Sequence, residues 1–346
     1  MTTSSARPTG TEFLDPAILS RIGNLEFVAK NVVEGFINGL HRSPHLGSST
    51  DFAEHRQYMP GDDIRRIDWR LFARTDRFYV KEFEAETNTN FLTILDVSPS
   101  MRYKGGAVDS GRVSKLEYGC FLAAALAYFS AGQRDRVGLA TFEDDIVDYV
   151  PPSAKHLRQI LYVLDRANRA AAARSPYEAT ASDVGVVEAP RSRSSVDPDA
   201  PIEQQQTGRT NLLTTMRKLS DSVRRRSIVL LISDLYQDPK EIYDAVDHLR
   251  GRGNDLICFH LLDRDEIDFP FTEASNFIDV ESGARMPLVP DYLRKQYKSL
   301  VQEHSDQLAK LARERRMDYA RFDTSRPIAD ALYAYLGARE RFNRVR

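Results

Sequence analysis

Cysteine is scarce in this chain and a long apolar run is missing. Only Cys120 and Cys258 occur among 346 residues, far apart in sequence, so a disulfide framework is excluded as the organising device. Cys120 falls in an Ala- and Leu-rich stretch and Cys258 in a β-like run, and both read as buried, reduced thiols. No stretch approaches the roughly 18 apolar residues needed to span a bilayer; the longest candidates, residues 121–129 and 228–232, are too short. The first ten residues are polar and lack the apolar core of a secretory signal, so the expected location is the cytoplasm. An excess of one charge is also lacking. Lys and Arg number 48 against 50 Asp and Glu, which argues against nucleic-acid binding through bulk charge while leaving room for a local basic patch.

Several catalytic signatures are absent too. There is no Gly-x-x-x-x-Gly-Lys-Ser/Thr loop, so ATP hydrolysis by the chain alone is not expected, and there is no Gly-x-Ser-x-Gly elbow. His41 and His45 stand four apart, but Pro44 between them breaks a helix and argues against a metal pair. His55, His156, His248, His260 and His304 are isolated in sequence and read as structural or solvated.

What is present suffices for a core. Hydrophobic residues make up 42% of the chain, and its length implies one large domain with an appendage, or two domains. Residues 1–16 read as a flexible leader. Residues 17–90 read as a helix over 17–40, a loop over 41–51 and a charged, aromatic subdomain. From residue 91 to 338, short apolar strands alternate with longer helices. Strands are expected over 91–97, 136–142, 227–235, 255–262 and 318–322. Helices are expected over 114–130, 157–167, 210–223, 239–250, 289–315 and 327–336, with a hairpin over 276–285. Ser114-Lys115-Leu116-Glu117 has the capping-box pattern at the head of a nearly all-apolar helix. Such alternation implies an α/β, doubly wound, mostly parallel sheet of Rossmann-like type, with a small N-terminal α+β extension. An insert over about 170–206, rich in Ser, Arg and Pro with little to bury, reads as a mobile loop.

Three stretches sit at strand ends, where ligand sites of doubly wound sheets gather. One strand ends in Asp96-Val97-Ser98-Pro99-Ser100, another in Ser233-Asp234, and the loop 207–212 places Thr210 at the opening of a helix. Asp96, Ser98, Ser100, Thr210 and Asp234 offer two carboxylates and three hydroxyls. Such hard oxygen donors suit Mg²⁺ or Mn²⁺ and not zinc. The plainer alternative is that the hydroxyls are turn residues and helix caps. Asp96-x-Ser98-x-Ser100, Thr210 and Asp234 resemble the metal-ion-dependent adhesion site of von Willebrand factor A domains. The resemblance implies that the hydroxyls contact the metal, that the carboxylates act largely through water, and that an acidic residue of a partner protein completes the octahedron.

A second motif precedes it. Tyr58-Met59-Pro60-Gly61-Asp62-Asp63-Ile64-Arg65-Arg66-Ile67-Asp68-Trp69 carries a turn signal and the sole Trp of the chain. Residues 79–86 alternate like an exposed strand. The string resembles the signature of the bacterial family called domain of unknown function fifty-eight, over roughly residues 39–263. Many of its members carry membrane spans ahead of the motif, and this chain resembles a soluble variant. Arg65, Arg66, Asp68, Trp69, Arg70 and Arg74 read either as a docking surface or as an internal salt-bridge lattice around Trp69.

The expected function is a non-catalytic, metal-dependent adhesion and assembly protein. The family resemblance implies a MoxR-type AAA+ ATPase as partner and a role in maturing or remodelling protein complexes. The main alternative is a metal-dependent phosphohydrolase or nuclease, in which Glu143, Asp144, Asp145 and Asp263 would add carboxylates to the same rim. A third reading is nucleic-acid contact through the Arg-rich stretch from Arg56 to Arg77 and through Arg339, Arg341, Arg344 and Arg346, which the interleaved acids weaken.

Overall fold

In a computed structural model the described residues are 16–20, 24–40, 55–57, 69–81, 89–106, 111–173, 212–223, 225–273, 275–278, 285–288 and 290–344. Two helices, α1 (Pro16–Leu19) and α2 (Leu25–Leu40), lead the chain. They are followed by β1 (His55–Gln57), α3 (Trp69–Thr75) and β2 (Tyr79–Lys81), with β1 and β2 paired antiparallel. The main sheet opens with β3 (Asn90–Asp96), which leads through a 3-10 turn over Pro99–Arg102 into α4 (Lys115–Gly132). Then come β4 (Arg136–Phe142), β5 (Ile146–Ser153), α5 (Leu157–Ala173), α6 (Leu212–Ser222), β6 (Ser227–Ser233), α7 (Pro239–Arg250), β7 (Asp255–Leu262) and α8 (Arg264–Asp268). The chain closes with β8 (Ser275–Ile278), β9 (Arg285–Leu288), α9 (Pro290–Glu314), β10 (Asp318–Asp323) and α10 (Ala329–Arg344).

Six strands form one sheet in the order β10-β7-β6-β3-β4-β5. All neighbours are parallel except β5, which runs antiparallel to β4. This last strand was not anticipated from sequence. Pro151 and Pro152 within it mask the strand pattern, and both are tolerated because β5 is an edge strand.

Side chains alternate between two cores, as the pleat requires. Phe91, Leu95, Leu139, Leu230, Ile232, Phe259 and Leu261 point to a face covered by α2, α4, α5 and α10. Leu92, Ile94, Ala140, Phe142, Val229, Leu231 and Cys258 point to the other, covered by α6, α7 and α9. Both faces being dry explains the continuous Ile, Val and Leu of β6. Because Val28, Val32 and Phe36 of α2 lie in the first of these cores, the packing around the sheet begins well before residue 90. Both cysteines are free and buried, and burial pushes the Cys258 thiol up to about 12.

Helix α4 is buried nearly all round. A Cβ at its Gly119 would come within 3.0 Å of Leu95 Cδ1, so glycine lets the helix settle close on β3. The Ser114 hydroxyl accepts the Glu117 amide at 3.1 Å and fixes the helix start. Helix α5 runs on through Ala173, so the first residues of the expected 170–206 insert are helical, in keeping with the propensity of an Ala run. Residues 174–211 lie outside the described set. The expected hairpin is present as β8 paired with β9. Among the described residues no helix is long and apolar enough to cross a membrane.

Candidate functional site

The strand order sets the site. The chain leaves β3 toward α4 on one face of the sheet, and leaves the adjacent β6 toward α7 on the other. A crevice opens between two such strands at their carboxyl ends. Asp96 is the last residue of β3, and Asp234 follows the last residue of β6. Each is only 2% exposed.

Asp96 is held by donors of two residues, Ser98 and Ser233. The Ser98 amide reaches Oδ1 at 2.9 Å and the Ser233 hydroxyl reaches Oδ2 at 2.6 Å. Burial and the neighbouring Asp234 push its carboxyl up to about 7, against the pull of those hydrogen bonds. Ser98 occupies the cap position of the 3-10 turn, with Pro99 at the first helical position, yet its hydroxyl makes no cap bond. It lies instead 3.1 Å from the Ser100 hydroxyl. The plain reading of Ser98 as a helix cap is therefore not what its side chain does.

Asp234 has a different neighbour. Lys115, the first residue of α4 and 0% exposed, donates to Asp234 Oδ2 at 2.9 Å and to Glu266 Oε1 at 2.7 Å. Its third contact is the Tyr236 hydroxyl at 3.3 Å, with the Tyr236 ring centroid 4.6 Å away. Burial alone would lower the Lys115 ammonium, but Asp234 and Glu266 outweigh it and hold the proton on. Leu235, next in the chain, sits at φ 49° although it is not glycine, a strained geometry of the kind found beside functional sites. The His304 Nε2 donates to the Leu235 carbonyl at 2.7 Å.

The rim continues onto the end of β7. Asp263 caps α8 by accepting the Asp265 amide at 2.8 Å, and Glu266 Oε2 accepts the Asp263 amide at 2.7 Å, completing a capping box. The loop after the 3-10 turn is tied to the same corner. The Gly105 amide donates to Asp263 at 3.2 Å, the Gly106 amide to Asp265 at 2.6 Å, and Arg112 bonds Asp265 at 2.7 Å.

Of the residues picked from sequence, the fold brings Asp96, Ser98, Ser100 and Asp234 to one crevice. Thr210, Arg65, Arg66 and Asp68 lie outside the described residues, as do the side chains of Trp69 and Arg70. Arg74 is exposed on α3. Glu143 faces Arg102 at 3.4 Å and Asp145 faces Lys218 at 2.5 Å. Among the described residues no three His, Cys, Asp or Glu side chains converge on a common point that could cage an ion, so any ion here would draw the rest of its oxygens from hydroxyls and water. His260 and His304 are not isolated in space. Their rings lie 6.2 Å apart, and burial pushes His260 down to about 3, with its Nδ1 2.8 Å from the Tyr319 hydroxyl.

Sequence reasoning missed Lys115, Ser233, Tyr236 and Glu266 as site residues. The one available signal was a Lys in an otherwise apolar helix, since a charge there needs a buried partner.

Relatives place the chain without naming its activity. Uncharacterized proteins of Mycobacterium bovis and Mycobacterium tuberculosis are each 28% identical over 124 residues, which is 36% of this chain and 38% of theirs. The match thus spans well under half of the length of those relatives. Among solved structures, conserved hypothetical protein BatB from Bacteroides thetaiotaomicron aligns at 13% identity and TM-score 0.40, over 73% of this chain and 99% of its own. An aerotolerance-related membrane protein from Bacteroides fragilis aligns at 15% identity and TM-score 0.38, over 70% and 96%. The model of the family described as protein of unknown function DUF58 matches residues 54–307, and the chain belongs to that family.

Proposed function

We propose that this chain is a metal-dependent adhesion protein of the von Willebrand factor A type, which binds a partner protein and catalyses no reaction itself. Asp96, Ser98, Ser100 and Asp234, with Thr210, would hold one Mg²⁺ or Mn²⁺, and the bound ion would supply a Lewis-acidic position for a carboxylate of the partner. The donors are all oxygen, which suits a hard divalent cation. The observation that carries the reading is the paired Ser98 and Ser100 hydroxyls, unspent on capping, beside a buried Asp96. Burial and the neighbouring Asp234 push that carboxyl up to about 7, against the hydrogen bonds it accepts from Ser98 and Ser233. A divalent ion would relieve this repulsion.

A hydrolase reading draws less support. The acids it would recruit are engaged elsewhere, Glu143 with Arg102, Asp145 with Lys218, and Asp263 as the cap of α8. The resemblance of the Tyr58–Trp69 string to its family favours a MoxR-type AAA+ ATPase as partner, with a role in maturing or remodelling complexes in the cytoplasm. Affinity capture from the native lysate tests this, run in magnesium, in EDTA and with Asp96→Ala. A partner retained in magnesium alone and lost in the variant is the expected result. Identical captures in all three conditions would overturn the proposal.

A further inference from the structure

We propose that Lys115 is a fixed counter-cation of the adhesion site, which keeps the site's own charge too small to hold a divalent ion tightly unless an acidic ligand is added from outside. The inference rests on the adhesion reading above and deepens it, because it states what sets the metal's demand for a partner carboxylate.

The ammonium is anchored on every side. Its three contacts go to Asp234 Oδ2 at 2.9 Å, Glu266 Oε1 at 2.7 Å and the Tyr236 hydroxyl at 3.3 Å. Glu266 is itself immobilised. Its Oε2 accepts the Asp263 amide at 2.7 Å, and its Oε1 also accepts the Tyr236 hydroxyl at 2.5 Å. The main chain behind Lys115 is pinned by the Ser114 cap and by the close seat of Gly119 on β3. The charge therefore has no room to retreat when a second cation arrives.

Its placement is also costly. A buried ammonium at the first position of a helix opposes the helix dipole, and an apolar residue of similar volume would fold at less expense than a buried ion pair. The charge is thus better explained by what it does to Asp234 than by stability. Asp96, Asp234 and Glu266 bring three negative charges against the single positive charge of Lys115, and with the ammonium 2.9 Å away Asp234 presents less than its full charge to an incoming ion. An outside carboxylate restores the missing charge. Glu266 acts in the opposite sense, because it draws the ammonium away from Asp234. Both are positioning residues, since neither is assigned to the metal.

The test is Mn²⁺ titration of the full chain by electron paramagnetic resonance, with and without acetate as the carboxylate probe, and with thermal melts to verify folding. Lys115→Met alone leaves Asp234 and Glu266 unpaired and is exposed to misfolding, so the informative variants are Lys115→Met/Glu266→Gln and Glu266→Gln. The first removes the pair at constant net charge and similar volume. It should bind Mn²⁺ at least about tenfold more tightly than the wild type and gain less from acetate. Glu266→Gln, which leaves the ammonium wholly on Asp234, should bind more weakly. A purely structural Lys115 would lower melting temperatures without this opposite pair of affinity changes. If the wild type binds Mn²⁺ and the double variant binds no more tightly, the inference falls and the adhesion reading stands. If the wild type binds no Mn²⁺ with or without acetate, both fall.

Discussion

Replacing Asp96 by Asn should stabilise the metal-free protein, although it removes a residue at the centre of the site. Asp96 is 2% exposed, and burial together with Asp234 lifts its carboxyl from 3.8 to about 7. That rise corresponds to about 4 kcal/mol of penalty on the charged form. An Asn amide escapes the penalty but must donate where Asp96 Oδ2 accepts the Ser233 hydroxyl, which costs about 1 kcal/mol or more. The net gain is about 2–3 kcal/mol, or roughly 3–4 °C in melting temperature at about 2.1 cal/mol/K of unfolding entropy per residue over 346 residues. Differential scanning calorimetry in EDTA at pH 7.5 measures it. The pH profile gives a second signature. Between about pH 4 and 7 the folded state keeps the Asp96 proton that the unfolded chain has released, so metal-free stability of the wild type falls as pH rises through that window. The Asn variant should lack this fall. Magnesium should reverse the order, because it stabilises the state that binds it, and that is the wild type. An Asn variant less stable than wild type in EDTA would refute the electrostatic reasoning.

Other changes probe the scaffold that positions the site. A Cβ at Gly105 would overlap Asp263 Oδ1 and approach Asp265 Oδ2 to 2.6 Å, so Gly105→Ala should cost about 2–4 kcal/mol in chemical denaturation and speed proteolysis in the loop after the 3-10 turn. Ser114→Ala removes the cap of α4 and should cost about 1 kcal/mol by urea melt; restoration by Asp or Thr would confirm capping as the cause. Ser98→Ala should leave the turn almost as stable, since its hydroxyl makes no cap bond, while lowering magnesium-dependent stabilisation. A loss of more than about 1.5 kcal/mol in EDTA would instead mark it as a structural cap.

The sequence made the layout legible where periodicity and punctuation agreed. β4, α7 and β7 fall on the expected residues, because each has an apolar pattern bounded by clear signals, such as Asp238 capping α7 with Pro239 at its first position. β5 was hidden by Pro151 and Pro152, which single-strand patterns exclude and an edge strand accepts. α8 was too short, at five residues, to show a period. At the site, Asp96, Ser98, Ser100 and Asp234 were legible because their spacing lies within single strand-to-loop turns. Lys115 and Glu266 reach the same point from 119 and 32 residues away from Asp234, because the first turns of α4 and α8 meet beside the end of β6. Sequence spacing carries no trace of such a contact.

The most direct test of the central claim is the anomalous difference map of a crystal grown in manganese. A single peak should appear at the carboxyl end of β3, within about 2.2 Å of the Ser98, Ser100 and Thr210 hydroxyls, with Asp96 and Asp234 beside it through water. A well-ordered map with no peak there, or with manganese bound only elsewhere on the molecule, would contradict it.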